Sequence, residues 1–441
     1  MHKRSLFIFR QDLRLQDNTG LLKAIRNSEE VLLIFIHDTR SIESFWEDDP
    51  RFGFIREAID SINESLWKHG WKIFIYRGYP EKVVEYIIQR YSVDAVYVNH
   101  SYSPEWILRD NTIESFCQKS EVSFHASEDF LMVAPHICEA RKVFTPFSLL
   151  WKRYIVAHPE DTLIQEFECT NTRFFTPPDD DKEVTSIETE YHRYWSLPFW
   201  YERLDRDFSS YESLRNTPGI DGSTRLSPYI RFGIFSIREI YARFQNNPTL
   251  LSEIIWRDFW YQIAYNFPSI YDIEFQEKRR AILWENDPII MKKIERAETG
   301  YPLIDAALKQ LYETNWMHNR LRMVVASFIT KNCLIDWRWW EDLFKRYLID
   351  YDKAVNYGNW QWSASVGADP KPLRIFNPLL QSEKFDTDAR FIKKYIPELA
   401  LIDPKRIHSL DLKWIYHRPV VDQRESSLRA KMHYIWVGNL E

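Results

Sequence analysis

Short apolar runs alternate with helix-length amphipathic stretches through the first third of the chain. The runs fall at Leu6–Phe9, Val31–Ile36, Lys72–Tyr76, Ala95–Val98 and Val122–His125, with helical spacing in Arg51–His69, Glu81–Tyr91 and Pro104–Gln118 between them. Strands alternating with helices predict an α/β domain built on a five-stranded, doubly wound parallel sheet. No G-x-G-x-x-G follows the first strand, so a dinucleotide site of the usual kind is not supported. From residue 128 to 197 the pattern gives way to a long connector. Its centre, Thr170 to Glu190, is polar and acidic and carries Pro177 and Pro178, as an extended linker would. Beyond it, Ile289–Ala297, Pro302–Tyr312 and His318–Lys331 show helical spacing with no persistent alternation. The expected organisation is an α/β domain over 1–127, a linker over 128–197 and a larger all-α domain over 198–441.

A chain of 441 residues is too long for one ordinary core, which agrees with this division. Apolar residues at 45% and charged residues at 28% give the profile of a soluble globular protein. The N-terminal apolar run is cut by Arg10, Asp12 and Arg14, unlike a signal peptide, and no run reaches the length needed to span a bilayer. Cys117, Cys138, Cys169 and Cys333 are scattered, so reduced thiols in a cytoplasmic protein fit best and no metal site is indicated. The net charge of −6 argues mildly against a nucleic-acid partner, although a local basic surface can bind phosphates under an acidic total. Tryptophan changes the picture more. There are 18, more than half of them after residue 250, and core packing rarely needs so many indole N–H groups to be satisfied. Flavin stacking, base stacking or electron hopping would explain the excess.

Three segments concentrate candidate chemistry. Asp350 to Trp362, DYDKAVNYGNWQW, sets Asp350, Asp352 and Asn356 beside Trp360 and Trp362. Polar groups and flat rings suit a heterocycle, while a turn-rich core piece explains the same residues about equally well. Gly222 to Ser227 precedes a helix starting near Pro228, which suits either phosphate binding or an ordinary cap with Ser227 at N-cap and Pro228 at N1. The cap alone is the commoner explanation. Glu253, Trp256 and Arg257 stand at i, i+3 and i+4, presenting an acid, a ring and a cation on one face. A carboxylate can bond a base edge, an indole can stack on it and a guanidinium can hold a phosphate. A surface Glu–Arg pair beside a packing Trp is the plain alternative. In NWMHNRLRM, Asn319 and Met323 share a face flanked by Arg320 and Arg322; His318 is read as structural, and no hydrolase triad is visible.

Taken in order, FRQDLRLQDN, VFTPFSLLWKRY, STRLSPYIRFG, WRDFW, TGYPLIDAALKQL, WMHNRLRM, NWQWSASVG and RIFNPLLQSEKFD resemble the photolyase/cryptochrome family over nearly the whole chain. The closest resemblance is to microbial, class I type photolyases acting on cyclobutane pyrimidine dimers. It implies an N-terminal α/β domain, a long connector and a helical domain holding FAD, with UV-damaged DNA as partner, no membrane and a monomeric state. Tyr211 and the loop Ser223, Thr224, Arg225, Leu226 and Ser227 would hold the FAD phosphates, with Arg257 and Asn319 close to the cofactor. Asp350 and Asp352 would contact the flavin edge, Arg322 would pair with Asp350, and Asn356 would sit opposite flavin N5. Trp256 and Trp362 would wall a pocket for the flipped-out dimer, contacted by Glu253, Asn319 and Met323. Arg215, Arg320 and Arg374 would meet flanking phosphates. Trp360, Trp337 and Trp284 would carry electrons to the flavin.

Two departures qualify the resemblance. Ile294 stands where relatives usually carry Trp, and the residues of a folate antenna are missing around Asn99–Asp110 and Pro268–Asp272. A second antenna chromophore is left open between a deazaflavin, another flavin and none. A cryptochrome photoreceptor shares fold and FAD, but Asn356, Met323 and the Glu253–Trp256–Trp362 set favour repair. A (6-4) photolyase would be expected to place histidines where Asn319 and Met323 stand.

Overall fold

A computed structural model describes residues 1–40, 49–68, 70–168, 173–177, 202–370 and 373–438. By contacts the chain groups into two compact units. One comprises Met1–Ala140, Ser148–Asp205 and Arg225–Tyr265; the other comprises Arg141–Phe147, Arg206–Thr224 and Asn266–Glu441. This grouping does not follow the linear boundaries expected at 127 and 197. Much of the predicted linker centre lies outside the described residues. The described part of the predicted connector includes a helix, Phe144–Ala157.

The first unit is built on a parallel sheet of strands β1 (His2–Phe9), β2 (Ser28–Asp38), β3 (Phe74–Gly78), β4 (Ala95–Asn99) and β5 (Ser123–Ser127), in the order β3-β2-β1-β4-β5. All five predicted strands are present, β3 shifted two residues toward the C-terminus. A sixth, β6 (Arg173–Phe174), pairs with β2 and extends the expected five. Its two residues carry no periodicity that the sequence could have shown. Leu6, Ile8, Leu32, Ile34 and Val96 are buried, so β1, β2 and β4 read as continuous apolar runs. Each such side chain contributes about 1.5–3 kcal/mol.

Polar residues following β1 also turn inward. Arg14 meets Asp129 at 2.5 Å, while Arg238 meets Asp17 at 2.7 Å and Asp129 at 2.8 Å, all four side chains being nearly inaccessible. Asn18 caps the helix Thr19–Asn27, accepting from the Leu21 N–H. The RQDLRLQDN stretch is therefore a structural polar network.

The second unit is helical. One apolar cluster runs from Ile282 to Tyr434 and includes Trp337, Trp340 and Trp360. The TGYPLID stretch builds a buried corner. Asp305 accepts from the Thr299 N–H at 2.8 Å, the Thr299 hydroxyl at 2.7 Å, the Gly300 N–H at 3.1 Å and the Tyr416 hydroxyl at 2.9 Å. Burial still pushes its carboxyl up to about 6. Gly300 holds φ 76° with the Arg418 carbonyl carbon 2.5 Å from where a Cβ would be, so a side chain has no room there. The predicted helix His318–Lys331 is α-helical only over Asn319–Ser327 and continues as a π-turn, Phe328–Asn332. Such bulges often accompany functional sites. Among the described residues, no helix is long and apolar enough to cross a membrane, and no His, Cys, Asp and Glu cluster could hold a metal ion.

Candidate flavin and DNA site

In the helical unit the candidate residues gather around the helix Lys353–Ser363. Asp352 is its N-cap, accepting from the Val355 N–H at 3.3 Å. Asp350, whose side chain is 2% exposed, takes the Arg322 guanidinium at 2.8 Å, and Arg322 also donates to the Met317 carbonyl. The expected Arg322–Asp350 pair is thus present, fixed from both sides. Asn356 is held differently from any sequence expectation: its Nδ2 donates to Glu341 Oε1 at 3.0 Å. That buried carboxylate also accepts the Tyr351 hydroxyl at 2.7 Å. Burial raises the Glu341 carboxyl although Tyr351 and Asn356 beside it oppose the rise.

Gln361 explains how Trp360 and Trp362 are held. Its buried amide donates to the Ile270 carbonyl at 2.8 Å and the Ile273 carbonyl at 2.9 Å, and accepts from the Phe275 N–H at 2.8 Å. Gly367 lets the chain fold back here, since a Cβ would stand 2.8 Å from the Trp362 nitrogen. Trp360 is buried beside Phe344, ring centres 4.9 Å apart. Trp362 is half-buried. The indole N–H groups of both find no protein partner. Trp337 is fully buried and donates to Glu274 at 3.3 Å, while Trp284 lies partly buried against the same core.

Three cations form a second cluster. The Arg320 guanidinium bonds the Asn216 carboxamide oxygen at 2.7 Å and lies over the Phe385 ring. Burial, with Arg215 and Arg374 nearby, lowers its pKa. Arg374 is exposed, and its carbonyl takes the buried Lys331 ammonium at 2.6 Å. Lys331 was not anticipated; burial, Arg279 and Arg374 bring its pKa down to about 7. Asn319 is exposed and Met323 half-buried on the helix Asn319–Ser327. Tyr211 opens a short helix, with Arg215 over its ring. Ser223 and Thr224, both half-buried, belong to this unit.

Arg225, Leu226 and Ser227 belong to the first unit. Arg225 holds φ 53°, a left-handed conformation costly for a side chain of its size. The following helix begins at Ser227, and Leu226 before it makes no side-chain cap. Glu253, Trp256 and Arg257 lie on the helix Pro248–Asn266, all half-buried. Trp256 stacks on Trp260, centroids 5.5 Å apart. Arg257 donates to the Phe130 carbonyl at 2.8 Å, and its Nη2 has no protein partner.

The carboxyl ends of β1, β2 and β4 carry a separate polar group in this unit. Arg10 and Arg109 share the single Asp110 carboxylate. Burial and Arg10 bring Arg109 down to about 10, and its Nη2 lacks a partner. His37, at the end of β2, is pushed down to about 4 by burial and Arg77. Ligands of open parallel sheets bind at this edge.

A parallel sheet unit, a tryptophan-rich helical unit and buried polar atoms unspent by the protein define a class, and comparison with known proteins names it. Residues 5–164 match the DNA photolyase family model and residues 250–435 match the FAD binding domain of DNA photolyase. The chain belongs to the DNA photolyase family. It is 35% identical to the deoxyribodipyrimidine photo-lyase of Alkalihalophilus pseudofirmus, across 91% of this chain and 88% of that one. An archaeal photolyase from Sulfolobus tokodaii, solved with two FAD molecules, superposes with a TM-score of 0.87 at 32% identity, covering 98% of this chain and 99% of that one. A Synechocystis cryptochrome shares the fold with a TM-score of 0.83 at 24% identity, over 98% and 99% of the two chains. Fold alone therefore does not separate repair from photoreception.

The residues present fit FAD. In the helical unit, the unpartnered N–H groups of Trp360 and Trp362 are donors that a polar ligand would satisfy.

Proposed function

We propose that the protein repairs cyclobutane pyrimidine dimers in DNA under blue light, with FAD as its cofactor. The observation that carries this reading is the helix Lys353–Ser363, where Asp352, Asn356 and Trp360 are each held in place by bonds or packing, with Trp362 half-buried beside them in sequence. Reduced FAD, when bound and excited, would supply one electron to the dimer and recover it after the ring splits. Tyr211 and Ser223 to Ser227 hold its phosphates, with Arg257 and Asn319 beside it. Asp350, oriented by Arg322, and Asp352 meet the ring edge. Glu341 takes one N–H of the Asn356 carboxamide and so fixes the side chain that would face N5. Trp360, Trp337 and Trp284 pass electrons inward to restore the reduced state.

An enzyme that acts on a base takes it out of the stack. Trp256 and Trp362 wall the dimer, and Glu253, Asn319 and Met323 contact it. Arg215, Arg320 and Arg374 take the flanking phosphates, which reconciles DNA binding with an acidic total charge. Asn356 and Met323 favour repair of this lesion over photoreception or (6-4) repair. In the sheet unit, Arg109 keeps a buried guanidinium nitrogen without a protein partner near the strand ends, which suits a second, phosphate-bearing chromophore. The protein acts as a cytoplasmic monomer.

Purified protein should take up FAD, show flavin absorption and bind a dimer-bearing oligonucleotide more tightly than its undamaged counterpart. A colourless protein unable to take up FAD overturns the reading. Tight FAD binding without preference for damage returns it to a photoreceptor.

A further inference from the structure

The π-turn Phe328–Asn332 has no part in the roles above. It follows directly on the helix that carries Asn319, Arg320, Arg322 and Met323, and all five of its residues are buried. One of them is a lysine. Lys331 is 2% exposed, and its ammonium donates to the Arg374 carbonyl at 2.6 Å. One helical turn earlier, the buried Ser327 hydroxyl accepts from the Phe376 N–H at 3.2 Å. Ser327 and Lys331 thus grip the chain on both sides of Ile375. Arg374, exposed at its side chain, belongs to the gripped stretch.

This grip is made with a charge in an unfavourable place. Burial, Arg279 on the short helix Glu277–Arg279 and Arg374 itself all oppose the ammonium. On the helix Gln423–Gly438, Arg429 donates to the Asn332 carbonyl and pairs with Glu285 at 2.8 Å, so the carboxylate of this group is engaged there. Tyr434 of the same helix gives its carbonyl to Arg279, and burial pushes its phenol up, as it does the Cys333 thiol. An apolar side chain of similar length would avoid the penalty of a buried cation. What the lysine adds is a charge-assisted bond to the backbone of Arg374. A destabilised ionisable group beside a binding surface is a candidate for function.

We propose that Lys331 is a positioning residue for DNA binding, holding the backbone of Arg374 so that its guanidinium meets a DNA phosphate beside Arg320. This rests on the reading that Arg374 takes a flanking phosphate. Arg374 lies close enough to Arg320 to disfavour that residue's charged form, so the pair offers concentrated positive charge to the DNA backbone. A phosphate at Arg374 offsets the charge that opposes the ammonium, so bound DNA raises the Lys331 pKa from about 7. Above that value binding takes up a proton, and affinity falls as pH rises.

The test is binding of a dimer-bearing oligonucleotide to the FAD-loaded full chain, with calorimetry in buffers of different ionisation enthalpy to measure proton uptake. Just above neutral pH the unmodified protein should take up protons on binding, and its affinity should fall severalfold from about pH 6.5 to about pH 9. Lys331→Met should weaken binding severalfold at the acid end of that range and abolish the proton uptake. Arg374→Ala should weaken binding throughout the range. Adding Lys331→Met to it should bring no further loss, because Lys331 acts through Arg374. Binding of the unmodified protein without proton uptake overturns the proposal. So does uptake that persists in Lys331→Met, or a double variant weaker than Arg374→Ala by the whole Lys331→Met factor; each of these leaves Arg374 on the phosphate. Unchanged affinity in Arg374→Ala overturns the reading on which the proposal rests.

Discussion

Two groups of arginines show what separates a structural polar network from a binding one. In the sheet-bearing unit, Arg14 and Arg238 face Asp17 and Asp129, two cations against two anions, all buried. In the helical unit, Arg320 is held by a neutral carboxamide oxygen and feels Arg215 and Arg374, so its charged form is disfavoured. The first network closes on itself. The second carries positive charge that an anion would relieve. The same contrast recurs along one helix: Gln361 has its bonds filled, while the indoles on either side keep unspent N–H groups.

The largest effect should come from the unspent side. Trp360→Phe should abolish steady photoreduction of flavin in the FAD-loaded protein, read from the flavin bands under constant blue light. Undiminished photoreduction would remove Trp360 from the electron path.

Breaking the closed network should come next. Asp129→Ala leaves Arg14 and Arg238 with one carboxylate between them, and an uncompensated buried charge costs about 4 kcal/mol. Denaturant unfolding should show that loss, and an unchanged midpoint would mean that the network contributes little.

Arg320→Ala should do the reverse. Stability should hardly change, but the slope of log affinity against log salt for DNA should fall by about 1, equally on damaged and undamaged strands. An unchanged slope would take Arg320 off the phosphates.

The smallest effect concerns Lys331. Its pKa falls from 10.5 to about 7 on folding, so between those values the unfolded chain binds more protons than the folded one. Stability therefore gains with rising pH across that window, the penalty being fullest below about 7. Arg279 and Arg374 face the ammonium, and Arg429 bonds the neighbouring Asn332 carbonyl. Lys331→Met should remove this contribution, so its stability advantage over the unmodified protein should shrink from pH 7 to pH 10. An advantage independent of pH would contradict the shift.

What was legible in the sequence follows the same physical line. Buried parallel strands announce themselves as apolar runs, and all five were readable. The two-residue β6 carried no such pattern. The Arg322–Asp350 pair came from resemblance, since residues 28 positions apart share no local spacing. Glu341 was missed because the acid pair Glu341 and Asp342 in WRWWEDLF looks like the solvent side of an amphipathic helix. Nothing local says that Tyr351 and Asn356 will turn to it. Gln361 lies between two tryptophans, and a lone amide there carries no local sign of its three bonds. Lys331 was hidden because its helix changes to a π-turn, rotating a position that regular spacing would have placed elsewhere.

The central claim is that this chain repairs dimers with light. The direct measurement is recovery of intact thymines from a defined thymine-dimer oligonucleotide, single- and double-stranded, incubated with the FAD-loaded, reduced protein under blue light and in darkness. The account predicts recovery in the light and none in the dark. Tight FAD binding with no recovery in either would contradict it.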